Sequence, residues 1–366
     1  MRLLVMNANS NNRQKLEDIP AIECRDLWKV YAEKKVDIDL VVRQKLDKDA
    51  ALERYKAVVA VGGTSFQVFQ GETFCIMGLS GSGKSTLVRH INRLIEPSAG
   101  SVFVNGVDVG KLSPKELRVM RSTTIGMVFQ NMALFPNRSV RDNITFGLEM
   151  RDETLDERRE VAEEMLSLVQ LEDWGDRYPS ELSGGMQQRV GLARALAADP
   201  DILLMDEPFS ALDPLIRRQL QDQFLDISSK LNKTSLFITH DLDEAIRMGD
   251  RIAIMKDGGF VQIGRPDEII LSPVNDYVKA FVGSVSRLKI LSAVNVMKPL
   301  ERNMKEVAHL DNYHVVDADC SLNELMEIVV RNNKSVLVTS GSGEPIGTIT
   351  ERDLLEAMMS NKAHHE

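Results

Sequence analysis

A glycine-rich loop between an apolar run and a helix constrains the fold of this chain more than any other feature. Residues 78–85, GLSGSGKS, match the pattern G-x-x-x-x-G-K-[ST] and follow a predicted strand at residues 73–77. Such a loop turns backbone N–H groups toward phosphate oxygens at a helix start, where the helix dipole favours negative charge. Lys84 reaches the β- and γ-phosphates and the Ser85 hydroxyl can ligate Mg²⁺, so the motif predicts a nucleotide-phosphate site in an α/β fold. The predicted loop contacts are Gly78, Ser80, Gly81, Ser82, Gly83, Lys84, Ser85 and Thr86.

A second apolar run ends in two adjacent carboxylates. Residues 202–207, ILLMDE, predict a buried strand with Asp206 and Glu207 at its carboxyl end. Asp206 can hold the shell of a Mg²⁺ ion while Glu207 polarises or deprotonates the attacking water. The alternative is a solvated acidic turn before Pro208. The phosphate loop upstream favours the catalytic interpretation.

A second glycine-rich stretch precedes a run of strong helix formers. Residues 182–189, LSGGMQQR, place Ser183 and two glycines before the run MQQRVGLARALAA. N–H groups at a helix N-terminus again favour an anion. The chain thus carries two loops suited to binding phosphate but one set of residues for nucleotide hydrolysis. This predicts that the second loop closes over a nucleotide held by another copy, in a head-to-tail homodimer with two shared sites.

Composition narrows the class of protein. The 366 residues predict two or three domains, and 43% apolar with 27% charged residues is typical of a folded globular chain. The formal net charge of −9 argues against a nucleic-acid partner. Three isolated cysteines predict neither a zinc site nor a disulfide framework, which fits a reducing cytoplasm. No run approaches the ~18 apolar residues that span a bilayer, so the chain is not expected to cross a membrane alone.

The order of predicted elements indicates more than one folding unit. Apolar strands alternate with helices from residue 202 to 255, as in a largely parallel sheet. Near residue 287 the pattern changes to a capping box at 321–324, a strand, a glycine turn, another strand and a helix from residue 351. The predicted organisation is a tail at 1–20, a nucleotide-binding domain at 21–286 with a helical insertion at about 34–56 and a helical subdomain at about 131–185, and a smaller domain at 287–366.

In this order the motifs resemble those of the ATP-binding subunit of an ABC transporter. The matching segments are residues 78–85 (Walker A), Gln130 (Q-loop), residues 182–187 (signature), residues 202–207 (Walker B), residues 210–213 (D-loop) and His240 (switch histidine). The resemblance implies an α/β P-loop NTPase core of ABC type, with a mixed sheet, a helical lobe and a small antiparallel β lobe. It also implies ATP sandwiched between two subunits. The implied nucleotide contacts of the signature and D-loop are Ser183, Gly184, Gly185, Gln187 and Asp213.

The resemblance also implies roles for single residues. Glu207 hydrolyses ATP, His240 contacts the γ-phosphate, and Gln130 senses Mg²⁺ and the membrane partner, with Lys84 completing the catalytic set. Tyr31 matches the aromatic residue that stacks on adenine; the alternative is an ordinary strand tyrosine, since a charged insertion separates it from the next strand. The alternative for His240 is a satisfied polar group at a strand end, but its position beside the predicted phosphate site favours catalysis. The implied metal ligands are Ser85, Gln130 and Asp206.

Longer stretches resemble one branch of that family, the glycine betaine/proline betaine importers. They are the insertion after Tyr31 and the runs at 78–100, 181–217 and 238–258, so the resemblance covers nearly the whole chain. It implies import through a separate permease, served by a periplasmic or lipid-anchored binding protein, with this subunit peripheral on the cytoplasmic face of the plasma membrane. Choline, carnitine and trimethylamine N-oxide remain alternative solutes. A soluble ABC ATPase of translation or DNA repair is disfavoured, because the chain carries neither a second nucleotide domain nor a long coiled-coil insertion.

The C-terminal domain carries a second resemblance. Residues 347–353, GTITERD, resemble the closing motif of a CBS domain, which implies a small α+β regulatory domain. Thr350 and Asp353 lie at the predicted strand-to-helix junction, where a hydroxyl and a carboxylate can grip a ribose. The alternative is a plain junction with Thr350 as the N-cap. Many relatives carry two such motifs and this chain carries one, so an intact pair would need the tails of two chains.

Two surface features complete the predictions. Met132, Leu134 and Phe135 cluster after Gln130, where they either pack in a core or form the docking groove for a permease helix. The C-terminal domain carries a basic set in an acidic chain, which is either a solvated face or a contact for anionic lipid headgroups that salt would screen. The members of this set are Lys298, Arg302, Lys305, Arg331, Lys334 and Arg352.

Overall fold

The computed structural model describes residues 19–130, 133–210, 212–283, 291–300, 313–332 and 335–359. The contacts of the chain divide it into two compact units, Met1–Ile263 and Gly264–Glu366. Each unit has a hydrophobic core of its own. No helix within the described ranges is long and apolar enough to cross a bilayer.

Strands and helices alternate along the first unit. Its strands are β1 (Ile22–Tyr31), β2 (Val58–Val68), β3 (Thr73–Met77), β4 (Ala99–Val104), β5 (Val107–Asp108), β6 (Ile125–Val128), β7 (Ile202–Asp206), β8 (Thr234–Thr239), β9 (Arg251–Lys256) and β10 (Gly259–Gly264). Its helices are α1 (Lys35–Arg43), α2 (Lys48–Tyr55), α3 (Lys84–Ile91), α4 (Pro114–Thr123), α5 (Val140–Ile144), α6 (Phe146–Glu149), α7 (Leu155–Leu168), α8 (Gly184–Ala197), α9 (Pro214–Leu231) and α10 (Leu242–Met248).

A six-stranded sheet with the order β10-β9-β3-β8-β7-β6 forms the centre of the first unit. Strands β9, β3, β8, β7 and β6 run parallel. Every residue of β3, β7 and β8 is buried, as expected for parallel strands that are covered on both faces. Because these strands are parallel, their carboxyl ends lie at one edge of the sheet.

A smaller antiparallel sheet has the order β2-β1-β4-β5. Its inner face joins the core of the first unit, where Phe66 of β2 stacks on Phe74 of β3 with ring centroids 5.5 Å apart. The insertion between β1 and β2 forms α1 and α2, whose buried Val41 and Ala51 pack in one cluster with Trp28 of β1. The small antiparallel β lobe expected for this fold is therefore confirmed.

Helices α5 to α8 form a lobe with a separate core. α7 begins with a reciprocal capping box, because the Thr154 hydroxyl accepts from the Glu157 N–H at 3.3 Å and a Glu157 carboxylate oxygen accepts from the Thr154 N–H at 3.1 Å. Val190 and Ala197 of α8 belong to the same core. The packed lobe therefore continues past residue 185.

The second unit is a mixed sheet with flanking helices. Its elements are α11 (Pro266–Leu271), α12 (Asp276–Val282), α13 (Ala293–Val296), β11 (Lys298–Pro299), β12 (Tyr313–Asp317), α14 (Leu322–Asn332), β13 (Ser335–Thr339), β14 (Pro345–Ile349) and α15 (Glu351–Met359). The strand order is β11-β14-β13-β12, with β12 parallel to β13 and the other pairs antiparallel.

The predicted capping box at the start of α14 is confirmed. The Glu324 N–H donates to the Ser321 hydroxyl at 3.2 Å, and the Ser321 N–H donates to the Glu324 carboxylate at 3.2 Å. Leu271 of α11 packs against the core that contains Leu291 and Leu325. This packing is why the second unit begins upstream of the composition change near residue 287.

Candidate active site

Four segments that carry predicted site residues meet at the carboxyl edge of the six-stranded sheet. The phosphate loop follows β3, Glu207 follows β7, His240 follows β8, and Gln130 stands shortly after β6. In open α/β sheets, ligands bind outside the carboxyl ends of the strands. The sheet therefore brings the predicted phosphate-binding and hydrolysis residues to the edge where a ligand would bind.

The packing of the phosphate loop requires glycine at two positions. Gly78 has φ +156° and Gly83 has φ +105°, which side chains rarely allow. A Cβ on Gly78 would lie 2.2 Å from the carbonyl oxygen of Met255. A Cβ on Gly83 would lie 2.0 Å from that of Ala60. Gly81, in contrast, has no atom of the described residues within 4 Å of such a position, so the loop is packed on one side and open on the other.

The Lys84 side chain lies inside this loop. Its ammonium donates to two loop carbonyl oxygens at 2.8 and 3.1 Å, and 5% of the residue is exposed. Burial lowers the pKa of Lys84, and the carboxylates of Glu207 and Asp206 at the end of β7 oppose that shift. The Ser82 hydroxyl is buried and has no hydrogen-bond partner within the described part of the chain, whereas Ser80 is exposed. A buried cation and an unsatisfied hydroxyl at a helix N-terminus fit a phosphate group.

Ser85 and Asp206 form a pair that fits a divalent cation. The Ser85 hydroxyl donates to Asp206 Oδ1 at 2.7 Å, and Asp206 is 1% exposed. Arg89 donates to Asp206 Oδ2 at 3.3 Å and partly balances the buried charge. Hydroxyl and carboxylate oxygens are hard ligands of the kind that Mg²⁺ prefers. Gln130, the third predicted ligand, donates to Glu207 in this structure.

Glu207 is where three predicted catalytic side chains meet. Its Oε2 accepts from His240 Nδ1 at 3.1 Å and from Gln130 Nε2 at 3.3 Å. Its backbone is left-handed, with φ +49°, and its N–H donates to the Ile238 carbonyl oxygen at 3.1 Å. Residues held in this region cluster at functional sites. A carboxylate fixed by two donors beside a phosphate site can orient a water molecule for attack.

The second glycine-rich loop lies in a groove of its own. Ser183 is the N-cap of α8 and accepts from the Met186 N–H at 3.3 Å. Gly184 has open space where a Cβ would stand. The groove has a volume of about 510 Å³, and no residue of the phosphate loop lines it. Its lining includes Trp174, Ser183, Gly184, Gly185, Arg189 and Asp213.

The remaining predicted contacts of this loop have different surroundings. Gln187 Nε2 donates to the Pro179 carbonyl oxygen at 2.9 Å, so this side chain holds the turn before α8. Asp213 caps α9 by accepting from the Ile216 N–H at 3.1 Å. A Cβ on Gly185 would lie 3.3 Å from the Ile216 side chain, so the signature loop and the start of α9 are close neighbours.

Tyr31 lies on the strand pair that touches the phosphate loop. It pairs with Val58 of β2, and the same strand reaches the loop through Ala60 and Gly83. The residue is 46% exposed, and the Lys29 ammonium stands 4.9 Å from its ring centroid. An exposed aromatic ring in this position offers a face on which a base can stack.

Sequence reasoning missed two basic residues of this region, Arg89 and Lys29. Arg89 follows Ser85 by four residues, which places both on one face of α3. Lys29 precedes Tyr31 by two residues, which places both on one face of β1. Both placements could be predicted from the sequence once α3 and β1 were assigned. The contact of Arg89 with Asp206 could not be predicted, because 117 residues separate the two in the sequence.

The predicted docking residues after Gln130 separate in the structure. Leu134 packs against the core of the helical lobe. Phe135 is 38% exposed, its ring centroid lies 4.5 Å from that of Phe146, and the Arg138 guanidinium lies over both rings. Met132 lies outside the described residues. Phe135 and Phe146 therefore form a partly exposed aromatic pair on the helical lobe.

At the strand-to-helix junction of the second unit, the polar side chains form hydrogen bonds with each other. The Thr350 hydroxyl donates to Asp353 Oδ2 at 2.6 Å, and the Asp353 N–H donates to that hydroxyl at 3.3 Å. Lys298 Nζ lies 2.6 Å from Asp353 Oδ1. Burial raises the pKa of Asp353, but hydrogen bonds from Lys298 and Thr350 outweigh it and keep this pKa below its usual value. Members of the predicted basic set that lie outside the described side chains are Arg302, Lys305, Arg331 and Lys334.

The fold and the strand-end site define a P-loop nucleoside triphosphatase, and comparisons with known proteins narrow that class. The family model for ABC transporters matches residues 61–210, and that for the CBS domain matches residues 304–360. The chain is 52% identical to the glycine betaine/carnitine transport ATP-binding protein of Listeria monocytogenes, over 75% of this chain and 70% of that protein. It is 41% identical to the glycine betaine/proline betaine transport ATP-binding protein of Salmonella typhimurium, over 92% of this chain and 97% of that protein.

A solved structure gives the same answer for the fold. A dimeric ATP-binding cassette in a post-hydrolysis state, bound to ADP and phosphate, matches with a TM-score of 0.58 and 30% identity, over 67% of this chain and 98% of that one. The chain belongs to the ATP-binding proteins of ABC transporters, in the glycine betaine/proline betaine branch. It is an ATPase coupled to transport, and the predicted fold class is confirmed.

Proposed function

We propose that this chain hydrolyses ATP to power import of glycine betaine or a closely related quaternary amine through a separate permease. The observation that carries the proposal is the strand-end site, where Lys84, the pair of Ser85 and Asp206, and Glu207 lie at one edge of the sheet. The two relatives described above both name glycine betaine, and they differ in the second solute. Glycine betaine is therefore the first solute to test.

The phosphate loop and its metal pair hold the triphosphate in this proposal. Lys84 exchanges its loop carbonyl partners for β- and γ-phosphate oxygens, and the unsatisfied Ser82 hydroxyl donates to phosphate. Ser85 and Asp206 would hold Mg²⁺, and Gln130, which donates to Glu207 at 3.3 Å in this structure, would be the third ligand when the nucleotide is bound. The ion, when bound, neutralises charge on the β- and γ-phosphates.

Glu207 orients the attacking water and takes its proton. His240 and Gln130 both donate to one carboxylate oxygen, Oε2, which leaves Oε1 to accept from water. His240 is the more exposed of the hydrogen-bonded pair, with 59% of its side chain accessible against 16% for Glu207, so His240 can turn toward a γ-phosphate. Removal of a positioned general base of this kind lowers the rate by ~10² to 10⁴.

Two copies of the chain share each nucleotide. The signature groove is open at Gly184, is lined by Asp213, and contains no phosphate-loop residue of its own chain. A second copy placed head to tail supplies the missing phosphate loop. Two identical composite sites follow from that symmetry.

The partners of the homodimer are a permease and, through it, a periplasmic or lipid-anchored binding protein. The aromatic pair of Phe135 and Phe146 is the surface that receives a permease helix, because it is aromatic, partly exposed and follows Gln130 in the chain. In this proposal the subunit is peripheral on the cytoplasmic face of the plasma membrane. The second unit, which the CBS family model matches, regulates transport and takes no part in catalysis.

Reconstitution tests the proposal. The chain, its permease and its binding protein are placed in liposomes with ATP on the side of this subunit, and uptake of labelled glycine betaine is followed beside proline betaine, choline, carnitine and trimethylamine N-oxide. Uptake should depend on ATP and vanish with Lys84→Ala. Absence of uptake for every solute, in liposomes that bind the chain and hydrolyse ATP, would overturn the assignment to quaternary amines.

A further inference from the structure

Lys29 lies against one face of Tyr31, the residue that the family resemblance implies stacks on adenine. Its ammonium is 4.9 Å from the Tyr31 ring centroid, which is within the range of a cation–π contact. Lys29 and Tyr31 are two residues apart on β1, so their side chains leave the same face of the strand. One face of the ring is thus occupied by a cation, and the residue is still 46% exposed.

A hydrogen bond to the segment after α3 fixes the position of the Lys29 ammonium. Lys29 Nζ donates to the Glu96 carbonyl oxygen at 2.8 Å, in the segment that follows the phosphate-loop helix α3. Ser98 in that segment forms hydrogen bonds with both neighbours of Lys29. The Ser98 N–H donates to the Trp28 carbonyl oxygen at 2.7 Å, and the Ser98 hydroxyl accepts from the Val30 N–H at 3.0 Å. Lys29 is therefore held by the segment that leads out of α3.

The ring of His90, on which the charge of Lys29 acts, does not add a second positive charge. His90 of α3 is 1% exposed, and its Nδ1 lies 2.5 Å from the Thr86 carbonyl oxygen, to which it donates. Burial lowers the pKa of His90 to about 4, so the ring is neutral near pH 7. Of the two charged groups that act on His90, Lys29 is the cation and Glu96 is an acid, so His90 adds no positive charge beside Lys29.

We propose that Lys29 is a positioning residue for nucleotide binding, which holds the Tyr31 ring in the orientation that stacks on the base. The inference rests on the proposed function, because it assumes that the chain binds ATP, with the base on Tyr31. Fixing the ring before the ligand arrives reduces the ordering that binding must impose. Lys29 should therefore affect the base part of the ligand and leave the phosphate part unchanged.

Binding of two probes separates these parts. ATP carries base and phosphates, whereas inorganic tripolyphosphate carries phosphates only, and the affinity of the full chain for each is measured by calorimetry with Mg²⁺ present. Lys29→Met should weaken ATP binding by about 2- to 5-fold, which corresponds to an exposed cation–π contact, with tripolyphosphate unaffected. Lys29→Arg keeps a cation over the ring and should restore ATP binding.

A double-mutant cycle with Tyr31→Leu completes the test. Lys29→Met should have no further effect on ATP binding in the Tyr31→Leu background, because the ring on which it acts is gone. Two results would overturn the inference and indicate a general charge effect. One is an equal loss of affinity for ATP and for tripolyphosphate, and the other is a loss of ATP affinity from Lys29→Met that is as large in the Tyr31→Leu background as in the parent. Hydrolysis of ATP by the unmodified chain, and its loss in Lys84→Ala, tests the proposed function separately.

Discussion

Two strand-to-helix junctions of this protein, one in each unit, use opposite chemistry. The first joins β3 to α3, and its N-cap is Gly83, which has no side chain to satisfy the helix N–H groups. The second joins β14 to α15, where Thr350 and Asp353 satisfy each other across the first turn and Lys298 occupies the remaining carboxylate oxygen. The first junction offers hydrogen bonds to a ligand, and the second uses them within the chain.

The comparison shows that polar residues at a helix start do not by themselves indicate a ligand. What marks the first junction is the lack of a capping side chain, combined with glycine backbones that approach neighbouring strands and a lysine turned into the loop. The second junction contains a hydroxyl and a carboxylate, the groups that suggested a ribose site. Their mutual hydrogen bonds agree with the N-cap alternative.

The largest expected effect comes from breaking the chemistry beside the first junction. Glu207→Gln keeps the shape of the side chain but removes the carboxylate that takes a proton from water. ATP should still bind, while the rate of hydrolysis should fall by ~10² or more, measured by phosphate release at saturating ATP. Hydrolysis at the parental rate by the folded variant would show that another group is the base. Trapping of a stable ATP-bound dimer is expected.

A mixed dimer tests whether the first junction is completed by a second chain. Lys84→Ala disables the phosphate loop and Ser183→Arg blocks the signature groove, so a dimer of the two variants has one doubly defective site and one intact site. Each variant alone should be inactive, and the mixture should recover a measurable part of the parental ATPase rate. Verified mixed dimers without any recovery would contradict independent shared sites.

The pH dependence of stability probes the helix of the first junction. Burial lowers the pKa of His90 in the fold to about 4, so between pH 6.5 and 4 the unfolded chain binds the extra proton. Stability should therefore fall as pH falls through this window, by about 2 kcal/mol between pH 7 and pH 5, because the loss begins near pH 6.5 and amounts to about 1.36 kcal/mol per pH unit below it.

His90→Asn is the matched control for that titration. Asparagine can still donate to the Thr86 carbonyl oxygen, but it has no proton to gain. The parent and His90→Asn are unfolded in urea at both pH values, and the parent should lose more stability at pH 5. Identical losses in the two proteins would show that other groups cause the acid sensitivity.

The smallest expected effect is at the second junction. Thr350→Ala removes the cap of α15 and should destabilise the second unit by about 1 kcal/mol, while the ATPase rate of the full chain is unchanged. Thr350→Ser keeps the hydroxyl and should behave as the parent does. A loss of ATP hydrolysis in a folded Thr350→Ala variant would mean that the two junctions differ less in function than their hydrogen bonds indicate.

Local patterns made much of this structure predictable. The phosphate loop, the strand ending at Asp206 and Glu207, and the capping box of Ser321 and Glu324 are each contained within a few neighbouring residues, so the sequence displays them directly. Contacts between distant segments could not be read in that way. Nothing in the sequence near Arg89 indicates Asp206, and nothing near Gly83 indicates the Ala60 carbonyl oxygen.

The boundary between the two units could not be predicted from the sequence for the same reason. Composition changes near residue 287, but the packing of Leu271 against the core of the second unit depends on residues that lie later in the chain. The signature groove likewise forms only when α8 meets the start of α9, so Asp213 was assigned through a resemblance and its place in the groove came from the structure.

The close approach of Gly83 to β2 has a consequence for which ligands fit. A Cβ on Gly83 would lie 2.0 Å from the Ala60 carbonyl oxygen, and on the adjoining strand Tyr31 pairs with Val58. The phosphate loop and the aromatic ring are thus tied to one pair of strands, and the span between them is set before any nucleotide arrives. Under the proposal that Tyr31 carries the base, the site selects ligands by length, because the ribose and the α-phosphate must together span from the ring to the loop that holds the β- and γ-phosphates.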